Sequence, residues 1–288
     1  MSLLLLLNRF FKSRPHPFNM GDGVTKLNYH NFEYESAPGV FKMFEKVLGE
    51  KFWKEKSICD FACGAGGKSL WILEQGAKEV TGIDMSETLI SQAKNYDKQQ
   101  TPVGQSSNGD RINDKLTFLV GDVSKTECKE NSFDLVIAND IMEHVGDPLQ
   151  TLQEANRITK KGGHMCINFE PYFHFLGHHM WDVMNIPWAH VFFSEKTRIR
   201  AYKELVKNLP DGPDRIEFRI SKNKKGEEYI GYLNHITIQK FLQHLQKTPW
   251  KIQYFEIQPF EKPILKILGK LPITREFFCQ RVIVVLEK

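Results

Sequence analysis

Residues 57–69 read SICDFACGAGGKS. Ile58, Cys59 and Phe61 form an apolar run, Gly64, Gly66 and Gly67 make a turn, and Leu70, Trp71 and Leu73 follow at helical spacing. The order is strand, glycine turn, helix. Glycines let a backbone approach a ligand closely, and a new helix N-terminus offers unpaired N–H groups and the positive end of its dipole. The spacing fits neither GxxxxGK[ST] nor GxGxxG, so the phosphate-loop and dinucleotide readings both weaken.

EVTGID at 79–84 is a short strand that ends on an acid. An acid roughly 20 residues past the glycine turn is placed to accept hydrogen bonds from both hydroxyls of a ribose. Ser86 then caps a helix carrying Leu89, Ile90 and Ala93. Residues 98–115 are polar, with Pro102, Gly104 and Gly109, and read as a mobile surface insertion. LTFLVGDV (116–123) is the next strand, and FDLVIA (133–138) is the near-continuous apolar run of a central parallel strand. Asp147-Pro148 opens a helix that leads to a strand, HMCINFE, ending at Glu170. Gly64, Asp84, Asp122 and Asn139 all fall at strand ends, where a doubly wound α/β sheet receives its ligands.

Upstream, a helical pattern runs from Tyr29 to Trp53, broken at Pro38-Gly39, and Tyr29, His30 and Tyr34 are within reach of the site. The divisions expected are an apolar and basic N-terminal segment with linker (1–23), a ligand-binding core (24–170), an inserted cap (171–236), and a C-terminal part (237–288) completing the core. The cap is dense in aromatics and histidines, from Tyr172 to Phe193, which suits a pocket for a planar or greasy molecule. The strands after it lie at Trp250–Ile257 and Cys279–Leu286.

Composition sets outer bounds. The chain has 288 residues, 41% hydrophobic and 26% charged, which suits a soluble globular protein with a sizeable core. A net charge of +4 is too small to announce a nucleic acid. The five cysteines form no CxxC pair and read as reduced thiols of a cytoplasmic protein. Leu3–Leu7 is far shorter than the ~18 apolar residues of a membrane span. With Arg9, Phe10, Phe11, Lys12 and Arg14, this segment suits either peripheral contact with an anionic membrane or packing, on the domain or on a second copy in a homodimer. KPILKILGKLP (262–272) is a second basic amphipathic stretch.

The glycine turn with its acid resembles the first motif of class I S-adenosylmethionine (SAM) methyltransferases of the type 11 kind. Asp60, Gly64 and Gly66 match, and Ala62 stands at the usual first glycine. The resemblance covers roughly 60–170 and returns near the C-terminus. It implies a Rossmann-like doubly wound sheet with the last strand antiparallel, here with an inserted aromatic lid. It also implies SAM held by Asp60, Ala62, Gly64, Gly66, Asp84, Met85, Asp122, Val123 and Asn139, with Asp122 toward the adenine amino group.

Beyond the fourth strand stands NDIMEHVGD. If 140–144 is helical, Asp140, Glu143 and His144 share one face and could ligate Mg²⁺, Mn²⁺ or Zn²⁺. This stretch resembles the Glu-x-x-Glu-His of ubiquinone-biosynthesis O-methyltransferases and small-RNA 2′-O-methyltransferases, families that add a histidine from the segment after the fifth strand. His190 is the candidate here, with His174, His178 and His179 as rivals. Glu143, His144 and His190 are the catalytic candidates, with or without a metal. The expected reaction is methyl transfer to a small-molecule acceptor, most simply at a hydroxyl. The EHVG stretch also resembles cyclopropane fatty-acid synthases, which points to a lipid instead. A non-catalytic SAM-binding protein is the third reading.

Overall fold

The computed structural model describes residues 3–11, 23–100 and 114–288; Lys12, Arg14, the Pro15–Gly21 linker, and Pro102, Gly104 and Gly109 of the polar insertion lie outside them. In chain order the elements are α1 (Leu3–Asn8), α2 (Gly23–Leu48), β1 (Ser57–Phe61), α3 (Gly67–Glu74), β2 (Glu79–Asp84), α4 (Glu87–Gln100) and β3 (Leu116–Val120). Then come β4 (Phe133–Asn139), α5 (Pro148–Ile158), β5 (Thr159–Phe169), α6 (Ala189–Phe192), α7 (Glu195–Val206), α8 (Gly212–Arg219), β6 (Ile220–Lys222) and β7 (Glu228–Ile230). The remainder is α9 (Ile238–Leu245), β8 (Lys251–Pro259), α10 (Pro263–Leu268) and β9 (Cys279–Glu287).

Seven strands form one sheet in the order β3-β2-β1-β4-β5-β9-β8. β1 through β5 pair in parallel, and β9 runs antiparallel to β5. The doubly wound α/β reading therefore holds, including the reversed strand near the end. The cause is visible in the sequence: β1 is buried along its whole length, as a strand covered on both faces must be. Local signals also hold, since the Asp147 carboxylate caps α5 by accepting from the Gln150 amide at 3.0 Å, with Pro148 at the first helical position.

By compactness the chain divides into a sheet unit (Leu27–Phe169, Gln239–Glu256, Val282–Lys288) and a helical unit (Met1–Lys26, Glu170–Ile238, Ile257–Arg281). In the sheet unit, α2 is one helix that runs through Pro38-Gly39 rather than breaking there. An aromatic block overrides the local breaker: Phe41 stacks on Trp71 at 5.2 Å and meets Trp53 at 5.4 Å. Phe41 and Phe44 are fully buried, worth about 1.5–3 kcal/mol each, which is comparable to the ~3 kcal/mol penalty of an interior proline.

The helical unit has its own core of Met180, Met184, Ile199, Tyr202, Val206 and Leu233, and Leu4 of α1 is buried in it. Asn8 fixes that docking: its amide donates to the Val183 carbonyl at 2.7 Å and its oxygen accepts from the Asn185 amide at 3.1 Å. The N-terminal leucines thus pack, although Leu3, Leu6 and Phe10 stay exposed. The 171–236 segment folds as α6–α8 and the β6–β7 hairpin, and residues 257–281, which include the end of β8 and the start of β9, group with it by compactness. No described helix is long and apolar enough to cross a membrane.

Candidate functional site

The glycine turn sits at the C-terminal end of β1, flanked by the ends of β2 and β4. Ala62, Gly64 and Gly66 take φ of 52°, 59° and 82°, three left-handed positions in five residues. Gly64 and Gly66 take them without steric penalty. Ala62 bears a strain of roughly 1–2 kcal/mol, the cost of its methyl where glycine would be free.

Carboxylates hold the turn. The Gly64 amide donates to Asp84 Oδ2 at 3.0 Å, while Asp84 Oδ1 accepts from the Ser86 amide at 2.8 Å. Asp60 is buried, and its Oδ2 accepts from Ser69 Oγ at 2.6 Å, tying the first turn of α3 to the strand before it. Burial pushes the Asp60 carboxyl up, with the Lys68 ammonium opposing.

Helix α2 adds residues whose role sequence reading missed. Glu33 is buried against the turn: its Oε2 accepts from the Gly67 amide at 3.3 Å and its Oε1 pairs with Lys68 Nζ at 3.1 Å. A Cβ built on Gly64 would lie 2.4 Å from Glu33 Oε1. Burial raises the Glu33 carboxyl, opposed by Lys68, and it raises the adjacent Tyr29 phenol too. His30 Nδ1 lies 2.6 Å from the Ala65 carbonyl. Of the α2 residues singled out from sequence, Tyr29 and His30 therefore reach the turn, whereas the Tyr34 hydroxyl donates to Glu74.

The other strand ends line up as expected. Asp122, just past β3, is exposed and accepts from the Ser124 amide at 2.8 Å. Val123 beside it is buried, and Met85 after β2 is exposed. Asn139 ends β4, with its amide 3.2 Å from Asp140 Oδ2.

The expected ligands do not share a helical face. Residues 140–144 are a turn and not a helix, because Asp140 takes φ 51° and the His144 amide closes back on the Ile141 carbonyl at 2.8 Å. The Asp140 carboxylate is spent on the Asn168 amide at 2.9 Å and on Asn139. Glu143 is buried while His144 is exposed. His190 belongs to the helical unit, its ring 4.9 Å from Tyr172 and 5.9 Å from His178. Among the described residues, no group of three or more His, Cys, Asp or Glu could hold a metal ion.

Three histidines of the helical unit, His174, His178 and His190, are held neutral. Burial pushes His174 and His178 down to about 3 and His190 down to about 4; the His190 ring contributes to the first two shifts, and Arg198 to those of His178 and His190. For His174, burial outweighs the Glu170 carboxylate 3.3 Å away. These groups bind a proton near pH 6.5 when unfolded and only well below it when folded. Stability should therefore be full above pH ~6.5 and fall as pH drops toward 4, by up to ~1.4 kcal/mol per pH unit for each histidine. Denaturant midpoints measured from pH 7.5 to 4.5 check this; a flat profile would mean the imidazoles reach solvent.

Comparison with known proteins bears on the site. Residues 59–167 match the family model described as "Methyltransferase domain". Over 124 residues the chain is 31% identical to the ubiquinone biosynthesis O-methyltransferase of Coxiella burnetii, covering 41% of this chain and 47% of that one. It is 27% identical over 124 residues to norajmaline N-methyltransferase of Rauvolfia serpentina, covering 43% of this chain and 39% of the relative. The matches thus span about half, or less, of the length of these curated relatives. Among solved structures, an S-adenosylmethionine dependent methyltransferase from Mesorhizobium loti superposes with a TM-score of 0.50 at 15% identity, covering 88% of this chain and 97% of that one. At that identity the likeness concerns the fold.

Proposed function

We propose that this chain, whose residues 59–167 match a methyltransferase domain, is a class I SAM-dependent methyltransferase that transfers the methyl group of SAM to a hydroxyl of a small aromatic or lipophilic acceptor. One observation carries the cofactor reading: carboxylates already saturate the glycine turn. The Gly64 and Gly67 amides, which a phosphate would need, are given to Asp84 and Glu33. Glu33, Asp60 and Asp84 against Lys68 leave this edge acidic, which disfavours a phosphate and suits a sulfonium cation.

When bound, SAM supplies an electrophilic methyl on a positively charged sulfur. Asp84 accepts from the ribose hydroxyls, with Met85 beside it. Asp122 and Val123 take the adenine, one by hydrogen bonding and the other by apolar contact. Asn139 and the Gly64–Gly66 backbone border the methionine end, where the Glu33–Lys68 pair offers opposite charges to an amino-acid zwitterion. His144, exposed past β4, is the candidate to receive the acceptor's proton. Glu143 supports that turn from inside, and His190 is the candidate histidine of the helical unit.

The relative named for O-methylation favours oxygen as acceptor atom. The test is a screen with methyl-labelled SAM against phenols, aliphatic alcohols and phospholipids, with and without EDTA. Label should enter a hydroxyl acceptor equally in both conditions. Label on phospholipid chains would favour the lipid-modifying alternative, and SAM binding without any transfer would leave a binding protein. Loss of transfer on chelation would restore the metal.

We further propose peripheral attachment to an anionic membrane. α10 buries no residue, and Ile264 and Ile273 are 74% and 89% exposed among Lys262, Lys266, Lys270 and Arg275. The protein should co-sediment with vesicles containing phosphatidylglycerol, more weakly at high salt. Ile264→Ser with Ile273→Ser should abolish this while SAM affinity stays unchanged. Equal sedimentation of both proteins would refute it.

A further inference from the structure

The helical unit buries a cation that no carboxylate pairs at salt-bridge distance among the described residues, with Tyr172 and Glu195 among its electrostatic partners. Arg198 on α7 is 3% exposed. Its Nε donates to the Phe193 carbonyl at 3.3 Å, and Nη1 has no hydrogen-bond partner. Neighbouring arginines are neutralised: Arg215 pairs with Asp182 at 2.8 Å, and Arg219 lies 3.6 Å from the same carboxylate. Arg198 has no such ion pair among the described residues. Glu195, one turn earlier, turns its Oε1 to the Ile230 amide at 3.0 Å instead. Burying a guanidinium unpaired costs several kcal/mol, so a position that keeps one calls for an anion to complete it.

The surroundings are aromatic and rich in donors. His190 is 8% exposed, and neither ring nitrogen has a hydrogen-bond partner. Tyr172 lies between two imidazoles, 4.9 Å from His190 and 4.4 Å from His235. Trp188, two residues before His190, has a buried indole nitrogen without a hydrogen-bond partner. Trp188 and His235 both take φ 55°, a strained conformation for a non-glycine residue, and such strain concentrates where ligands are held. Tyr172, Trp188 and His235 are only half-buried, so the cluster reaches the surface.

We propose that Arg198, His190 and Tyr172 form a binding site for a small aromatic carboxylate. The guanidinium fork takes the two carboxylate oxygens, the neutral His190 imidazole donates to one of them, and the Tyr172 ring packs on the ligand's face. A planar acid fits both halves of this environment, the unpaired cation and the rings; inorganic phosphate would satisfy the cation alone. The site shares His190 with the methyl-transfer reading, but binding is measured without SAM and without turnover, so the two fail separately.

The test titrates the full-length protein with benzoate and, separately, with inorganic phosphate. Calorimetry gives affinities, and NMR follows the His190 imidazole, assigned by its loss in His190→Gln. Benzoate should bind saturably and shift the His190 resonances, and Arg198→Met should weaken it at least ~10-fold, with Arg198→Lys between the two. Saturable phosphate binding with the same His190 shift, and none by benzoate, would overturn the aromatic acid in favour of a phosphate site. If Arg198→Met does not fold, the wild-type titration decides: His190 resonances unmoved by benzoate refute the site. An unchanged benzoate affinity in a folded Arg198→Met refutes it as well.

Discussion

Replacing Gly67 with alanine should destabilise the protein by about 3 kcal/mol, at the upper end of what overpacking usually costs. The added Cβ would lie 2.1 Å from the His30 carbonyl oxygen and 2.6 Å from the Tyr34 amide nitrogen. Both are backbone atoms of α2, so no side chain can rotate out of the way and the whole helix must move. Moving it also separates Glu33 from Lys68 and His30 from Ala65, leaving a buried carboxylate and a buried ammonium without each other. Breaking a buried pair is strongly unfavourable. Gly39→Ala in the same helix is the matched control: it meets nothing within 4 Å and should raise stability by about 0.5–1 kcal/mol. Urea midpoints for the two variants decide, and a Gly67→Ala midpoint equal to wild type would mean that α2 does not sit on the turn.

Asp84→Ala should weaken SAM about 10- to 100-fold, from the ~1.5–3 kcal/mol carried by hydrogen bonds to a charged group. The carboxylate has two tasks that the substitution removes together. It would accept from the ribose hydroxyls, and it fixes the Gly64 and Ser86 amides at 3.0 and 2.8 Å. Asp84→Asn keeps the shape but loses the charge, and its amide cannot accept from both amides, so its affinity should fall between the two. Calorimetry on folded variants provides the measurement. Unchanged affinity in Asp84→Ala would remove this residue from the cofactor site.

Much of the sheet was legible because its causes are local. β1 and β4 are apolar runs bounded by turn residues, and Asp147-Pro148 announces α5 by capping chemistry. The strand-end acids were found by combining that order with one rule about where open sheets bind ligands. What failed depended on long-range packing or on unusual backbone. Pro38-Gly39 reads as a break, yet the aromatic block around Phe41 carries α2 across it. The Glu33–Lys68 pair joins residues 35 apart, with no signal at either position. The expected helical face at 140–144 assumed ordinary helical dihedrals, and Asp140 adopts a left-handed one. Arg198 carries no signal in the sequence, and only its burial distinguishes it.

The position of β9 has a consequence for how this protein can be made. β9 lies between β5 and β8, and its register with β5 runs from His164↔Glu287 to Phe169↔Val282, more than 110 residues apart in sequence. Until residues 279–287 leave the ribosome, β5 presents an apolar edge with its hydrogen-bonding groups open, and Met165, Cys166 and Ile167 have β4 on one side but no strand on the other. Such an edge is a template for pairing with another chain, and contacts this distant in sequence form late. Nascent or prematurely terminated chains should therefore be the aggregation-prone species, and yield in the cell should depend more on chaperone supply during synthesis than on the stability of the finished protein.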